Sequence, residues 1–223
     1  MDGLRVIRLE VGALGTNCYL VWAQSPDPAE NPRGAAAIDP GGDGPEIVRA
    51  LERAGRELEW VLLTHGHADH IAAVPLLLQR WPGATVVIGE DDRAMLGDAE
   101  ANLSAWVGPA FAVSAERCAG VAGGETVAGG LELEVLATPG HTPGGVCYLR
   151  RAGPAPVLFS GDTLFASSVG RCDLPGGSWE ELAGSLRLLA ALPAGAAVYP
   201  GHGPETVLRA ELAGNPHLAE ALR

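Results

Sequence analysis

The segment THGHADH, residues 64 to 70, places three of the chain's six histidines and an aspartate directly behind the apolar run WVLL. His65 and His67 are two residues apart, so in an extended backbone both imidazoles project to the same side and can chelate one ion. Asp69 and His70 are adjacent. They lie where the chain turns into a helix, leaving the strand direction, and can serve a second ion beside the first. This differs from HExxH, in which helical spacing aligns two histidines on a single zinc. Imidazole and carboxylate donors suit Zn2+ first, with Fe2+ and Mn2+ as further candidates, whereas calcium takes oxygen alone.

The same design recurs along the chain. An apolar strand ends in a small-residue turn carrying histidine at VLLTHGH (61 to 67), VLATPGH (135 to 141) and AVYPGH (197 to 202), and VLFSGD ends likewise at Asp162. Strand ends are rigid supports along one edge of a sheet, and glycines allow the backbone to approach a shared centre. With His141, His202 and Asp162 added, the donors number five histidines and two aspartates, enough for two divalent ions that share Asp162. Two dications against two aspartates and one hydroxide leave such a centre net positive. It would attract developing negative charge, and metal binding can bring a water's pKa down to about 7. Hydrolysis is the chemistry this predicts. His217, in a polar tail, stands outside the pattern, and Cys172 has no neighbouring base and reads as a packing residue.

These donors need a scaffold. LRVIRLEV, NCYLVWA, GAAAI, ELEWVLL, ATVVIG, LELEVLA, GGVCYLRR, APVLFSGD and AAVYPGH read as strands. GPEIVRALERAG reads as a helix, with Pro45 near its start and Gly55 at its end. Further helices are expected from Ile71 to Trp81, loosely from Asp91 to Trp106, after the capping Ser178, and once more in the tail NPHLAEAL. Strands in both halves with helices between and after them predict an α/β fold of two sheets packed face to face with helices outside.

Composition narrows the classes. A chain of 223 residues, 47% hydrophobic and without a long linker, reads as one domain over 1–223. No apolar run approaches the roughly 18 residues needed to span a bilayer, and the N-terminus lacks the pattern of a signal peptide, so no membrane association and a cytoplasmic location are expected. Four cysteines without a CxxC pair read as reduced thiols. A net charge of −12 argues against a nucleic-acid partner.

Taken together, these motifs resemble the metallo-β-lactamase superfamily. THGHADH matches its HxHxDH signature, and TPGHTPG, FSGDTLF and YPGHGPET match its later metal motifs in order, over nearly the whole chain. The resemblance implies an αββα sandwich of two mixed sheets. It assigns His65, His67 and His141 to one metal, Asp69, His70 and His202 to the other, and Asp162 to both; Asp39 in IDPGG would support the site from behind. Histidine at position 67 argues against the flavodiiron branch, which carries an acidic residue there.

Within the superfamily, SGDTLFASSVGRCDLPGGSWEEL is similar to the GDxLF...GRxDxPGG pattern of short bacterial glyoxalase II-like hydrolases. This implies hydrolysis of a small-molecule thioester, S-lactoylglutathione or a related S-acyl thiol, by a metal-bridging hydroxide that Asp69 orients. The C-terminal helical region of full-length glyoxalase II is not expected. Arg171 falls where that group has a basic residue touching the thiol carrier; an ion pair with Asp173 is its competing role. The resemblance also admits a persulfide dioxygenase with one iron on His65, His141 and Asp162, and, more distantly, a lactamase, a phosphodiesterase or a non-catalytic metal-binding protein.

Overall fold

The computed structural model describes residues 3–24 and 33–223. Six strands form the first sheet in chain order: β1 (Gly3–Val11), β2 (Thr16–Gln24), β3 (Gly34–Ile38), β4 (Glu57–Leu62), β5 (Thr85–Gly89) and β6 (Cys118–Val121). The first two pairings are antiparallel and the rest parallel. Parallel neighbours need a crossover. Helix α1 (Gly44–Arg53) supplies it between β3 and β4, and α2 (Ala68–Ile71) with α3 (Val74–Arg80) between β4 and β5.

After the short helix α4 (Ser104–Val107), the second sheet is built from β7 (Thr126–Val127), β8 (Leu133–Ala137), β9 (Val146–Arg150), β10 (Val157–Gly161), β13 (Ala197–Pro200) and β14 (Thr206–Val207), in the order β14-β13-β10-β9-β8-β7. Only β10 and β13 pair in parallel, with α5 (Trp179–Ala190) between them. A two-stranded ribbon, β11 (Leu164–Phe165) and β12 (Ser168–Val169), follows β10, and α6 (Leu208–Gly214) and α7 (Pro216–Ala221) follow β14.

The period-two alternation of strand side chains sorts the apolar residues into layers. From β2, Tyr19 and Val21 face the second sheet, while Cys18, Leu20 and Trp22 face α1 and α3. From β9, Val146 and Tyr148 join the layer between the sheets, while Cys147 and Leu149 meet Leu182, Leu186 and Leu189 of α5. The result is helices, sheet, sheet, helices, as expected. Phe159 is fully buried in the middle layer, its ring 5.4 Å from those of Tyr19 and Tyr199. Phe159→Ala should cost about 3–5 kcal/mol, read as a lower urea midpoint at unchanged slope.

Two helical expectations are corrected. The segment expected to run from Ile71 to Trp81 is two helices, because Pro75 has no N–H to give to Ile71 and the ladder breaks at Ala72 and Ala73. The segment 91–106 is a 3-10 turn over Glu90–Gly97 followed by α4, and Leu103, with φ 67°, ends any continuous helix. The helix expected in NPHLAEAL is α7, capped by the Asn215 side chain, and a further helix, α6, precedes it. No helix among the described residues is long and apolar enough to cross a membrane.

Candidate metal centre

Each strand-end donor lies just past its strand, and the sandwich brings these ends to one edge. His65 and His67 follow β4, His141 follows β8, Asp162 follows β10 and His202 follows β13. His67 is still extended, with φ −70° and ψ 148°, and α2 begins at the next residue, so Asp69 and His70 swing away from the His65–His67 direction. The edge is stapled across the two sheets. Asn17 donates its backbone N–H to Gly201 O at 2.7 Å and its amide to Pro200 O and Gly203 O, both at 2.9 Å; Tyr19 Oη donates to Pro200 O. From the other side, Val146 N–H donates to Thr64 O at 2.8 Å and Tyr148 Oη to Leu63 O at 2.8 Å.

All seven predicted donors converge. Donor atoms of His65, His67 and His141 lie within 4.8 Å of one another, as do those of His65, His70 and Asp162, and those of Asp69, His70 and His202. Close pairs include His67 Nδ1 to His141 Nε2 at 3.0 Å, His202 Nε2 to Asp69 Oδ2 at 3.2 Å, His70 Nε2 to Asp162 Oδ1 at 3.4 Å and to Asp69 Oδ2 at 3.5 Å, and His141 Nε2 to Asp162 Oδ2 at 3.6 Å. Donors at about 2.0–2.1 Å from a tetrahedral zinc stand roughly 3.3 Å apart, so these spacings fit ions held between them. His65 Nε2, His67 Nε2, His70 Nε2 and Asp162 Oδ1 are buried without a hydrogen-bond partner. Orphaned polar atoms in such number are otherwise costly, and a cation would satisfy those facing the centre.

Outer partners set which nitrogen faces inward. His65 Nδ1 donates to Thr64 Oγ1 at 3.1 Å, and that hydroxyl donates to Asp39 Oδ2 at 2.7 Å, leaving His65 Nε2 unprotonated. His141 Nδ1 donates to Arg171 O at 2.6 Å, which frees its Nε2 in the same way. His70 Nδ1 stands 3.0 Å from Asp39 Oδ2, aiming Nε2 at the centre. Asp39 thus sits in a turn, at φ 50°, and also braces His70 and Thr64. Gly201 has no alternative residue: a Cβ there would strike Asp162 Oδ1 and lie 2.8 Å from His70 Cε1.

Charges in the cluster are strongly perturbed. Burial, reinforced by His70, His67 and His141, holds the His65 imidazole well below its usual range, and burial with His141 takes His67 down to about 3. Their lone pairs are therefore bare at neutral pH. Burial opposes charge on His70 too, but Asp69, Asp39 and Asp162 outweigh it and raise that imidazole to about 10. Asp69 is pushed up by burial and pulled further down by His70, by His202 and by the Thr16 hydroxyl, which donates to its Oδ2 at 2.9 Å, so it stays ionised. The chain thus gathers anionic oxygens around neutral His65 and His67, while the proton on His70 is held by the same carboxylates and is the one a dication would displace.

Arg171 is brought to the site's mouth, where it lines a cavity of about 420 Å³ together with His67, Asp69, His141, Asp162 and His202. Its guanidinium also makes the two-pronged ion pair with Asp173, at 2.6 and 2.8 Å and exposed. Three residues escaped the reading of the sequence. Thr16 and Asn17 hold Asp69 and the His202 loop, as above. Asp92 is fully buried and accepts from Gly66 N–H at 3.0 Å, Thr142 Oγ1 at 2.7 Å and Gly144 N–H at 2.6 Å. One carboxylate thereby joins the His65–His67 loop to the His141 loop. In the run GEDDRAM nothing in the sequence separates it from the acids beside it. An Asp92→Asn amide would set its NH2 against one of three donors, so metal affinity should fall about 10–100-fold, measured by competition with a chromogenic chelator.

The comparisons agree with this geometry. The family model of the metallo-β-lactamase superfamily matches residues 11–202. Hydroxyacylglutathione hydrolase GloC of Haemophilus influenzae is 31% identical over 212 residues, covering 94% of this chain and 96% of that one. Among solved structures, BLEG-1 B3 metallo-beta-lactamase superposes with a TM-score of 0.85 at 32% identity, over 96% of this chain and 99% of its own. TTHA1623, solved in a di-iron-bound form, gives 0.79 at 33% identity, over 95% and 99%. Ligand-bearing strand ends at one edge of an αββα sandwich, and a family match spanning from β1 to His202, lead to one conclusion: the chain belongs to the metallo-β-lactamase superfamily.

Proposed function

We propose that this member is a hydrolase of S-acyl thioesters that works with two divalent ions, one held by His65, His67 and His141, the other by Asp69, His70 and His202, with Asp162 between them. The observation that carries the reading is the convergence of seven donors at the spacing of metal ligands. The full-length similarity to GloC, named a hydroxyacylglutathione hydrolase, and the GRCDLPGG segment support the thioester as substrate. Zn2+ suits the nitrogen-rich set; the di-iron form of TTHA1623 keeps Fe2+ a candidate, and Mn2+ stands with it.

Bound ions would supply Lewis acidity and a water acidic enough to ionise near neutral pH. The chain's own residues do the rest. Asp69, ionised and fixed by the Thr16 hydroxyl, orients the attacking water through its carboxylate. Asp39, Thr64 and the Arg171 carbonyl hold three imidazoles in the orientation that leaves their inner nitrogens free. The net reaction adds water across the acyl–sulfur bond and yields a carboxylate and a thiol.

The rival with one iron on His65, His141 and Asp162 leaves His67, Asp69, His70 and His202 without a task, although donor atoms of His67 lie within 4.8 Å of those of His65 and His141, and those of Asp69, His70 and His202 within 4.8 Å of one another. The test is loss of thioester absorbance from S-lactoylglutathione with Zn2+, Fe2+ or Mn2+ supplied separately, alongside a β-lactam and a phosphodiester. Turnover should vanish with chelator and fall more than about a hundredfold in His67→Ala. Oxygen uptake on glutathione persulfide by the iron-loaded protein, without thioester turnover, would overturn the reading.

A further inference from the structure

Six large hydrophobic side chains are exposed among the described residues, and three of them, Leu14, Trp106 and Val107, gather at the mouth of the cavity over the metal cluster. Leu103 and Leu174 complete an apolar wall. Leu14 comes from the β1–β2 turn, Trp106 and Val107 from α4, and Leu174 from the loop before α5. Three separate parts of the chain thus present apolar surface to one opening. Exposed apolar side chains concentrated beside a reactive centre mark a binding surface.

The wall is held in place. Ala68 N–H, at the start of α2, donates to Asn102 O at 2.7 Å, tying the α4 segment to the HxHxDH loop. Ser104 Oγ donates to Phe111 O at 3.1 Å, and the Asn102 amide reaches the same carbonyl at 3.1 Å. The Trp106 indole N–H donates to Glu100 Oε2 at 2.6 Å, fixing the ring while its face stays open. Among the described residues, Arg171 is the one cation lining this cavity apart from its histidines, and its guanidinium makes a two-pronged pair with Asp173. An anionic thiol carrier therefore meets a cation whose charge is already answered, in a chain of net charge −12.

We infer that the Leu14–Trp106–Val107 wall is an acyl subsite, and that the preferred substrates are thioesters with an apolar alkyl or aryl acyl group on an uncharged thiol, in preference to small hydroxyacyl groups on a charged tripeptide. The inference rests on the thioester reading and deepens it. A volume of about 420 Å³ at the centre is within the range of small-molecule sites. Burying one further methylene against such a wall is worth about fourfold at most in kcat/KM, and about twofold where the contact is half open.

The experiment compares acetyl, butanoyl, hexanoyl and benzoyl thioesters of N-acetylcysteamine with S-lactoylglutathione on the metal-loaded protein, for wild type, Trp106→Ala and Val107→Ala. Binding of the non-hydrolysable thioethers S-methyl- and S-hexyl-N-acetylcysteamine is measured in parallel by calorimetry. The expected result is a rise of about two- to fourfold per methylene in kcat/KM, flattened in both variants, with S-lactoylglutathione the poorer substrate. Asp173→Asn, which releases Arg171, should narrow the gap between charged and uncharged carriers. Turnover of all thioesters with no dependence on chain length, or with S-lactoylglutathione best, overturns the subsite and leaves the hydrolase. Absence of all turnover, with the hexyl thioether binding more tightly than the methyl one only when Trp106 is present, overturns the hydrolase and leaves the subsite. Neither turnover nor preferential binding overturns both.

Discussion

Asp162→Ala is expected to give a folded protein that retains less metal on purification and turns over thioesters about 10²–10³-fold more slowly. Among the described residues, Asp162 is the one carboxylate whose oxygens face donors from both groups: Oδ1 lies 3.4 Å from His70 Nε2, and Oδ2 lies 3.6 Å from His141 Nε2 and 3.7 Å from His202 Nε2. Removing it leaves Asp69 alone among five imidazoles to balance two dications. Metal content by plasma emission spectrometry and initial rates should fall together. Full occupancy at full rate would mean that the two ions are not joined through this side chain. Asp162→Asn separates charge from shape, since an amide fills the space and offers one neutral oxygen; it should lie between alanine and wild type in metal content.

Chelation should lower the unfolding midpoint by about 8–16 °C. An ion held at a thousand times its dissociation constant stabilises the folded state by about 4 kcal/mol, and a chain of this size shifts about 2–4 °C per kcal/mol. Here the effect has a local cause. Without a cation, His65, His67 and His70 nitrogens and an Asp162 oxygen remain buried without hydrogen-bond partners. Scanning calorimetry with chelator, then with Zn2+ restored, checks both the size and the reversibility; an unchanged midpoint would mean the donors contribute nothing to stability through metal. Protons compete for the same nitrogens, so the metal-dependent part of stability should shrink as pH falls.

The donors were legible because three of the histidines and Asp162 follow the same local rule, an apolar strand ending in a small-residue turn, and that rule survives in one dimension. Layering was legible for the same reason: Tyr19 and Val21 against Cys18 and Leu20 is a period-two pattern that needs no partner to be seen. Asp92, Thr16 and Asn17 were not legible. Their work lies in reaching Gly144, Asp69 and Gly201, contacts that exist only once the sheets have docked. The break in the helix at Pro75 was written in the chain, but the apolar periodicity on either side of it spoke for continuity. At Arg171 the structure shows the pair with Asp173 and adds a contact the sequence did not suggest, its backbone carbonyl orienting His141.

The hydrogen bonds that stitch β2 to the His202 loop, and β9 to the residues after β4, join segments far apart in the sequence, and this has a consequence for folding. His65, His67, Asp69 and His70 lie within one short segment and form a weak chelator even in an unfolded chain, whereas His141, Asp162 and His202 arrive only through contacts distant in sequence. Such contacts are slow to form because loop closure must precede them. Metal selection is therefore expected to be set late, when the two sheets dock: after refolding in mixed metals, the metal content of the protein should be the same whichever ion is added first.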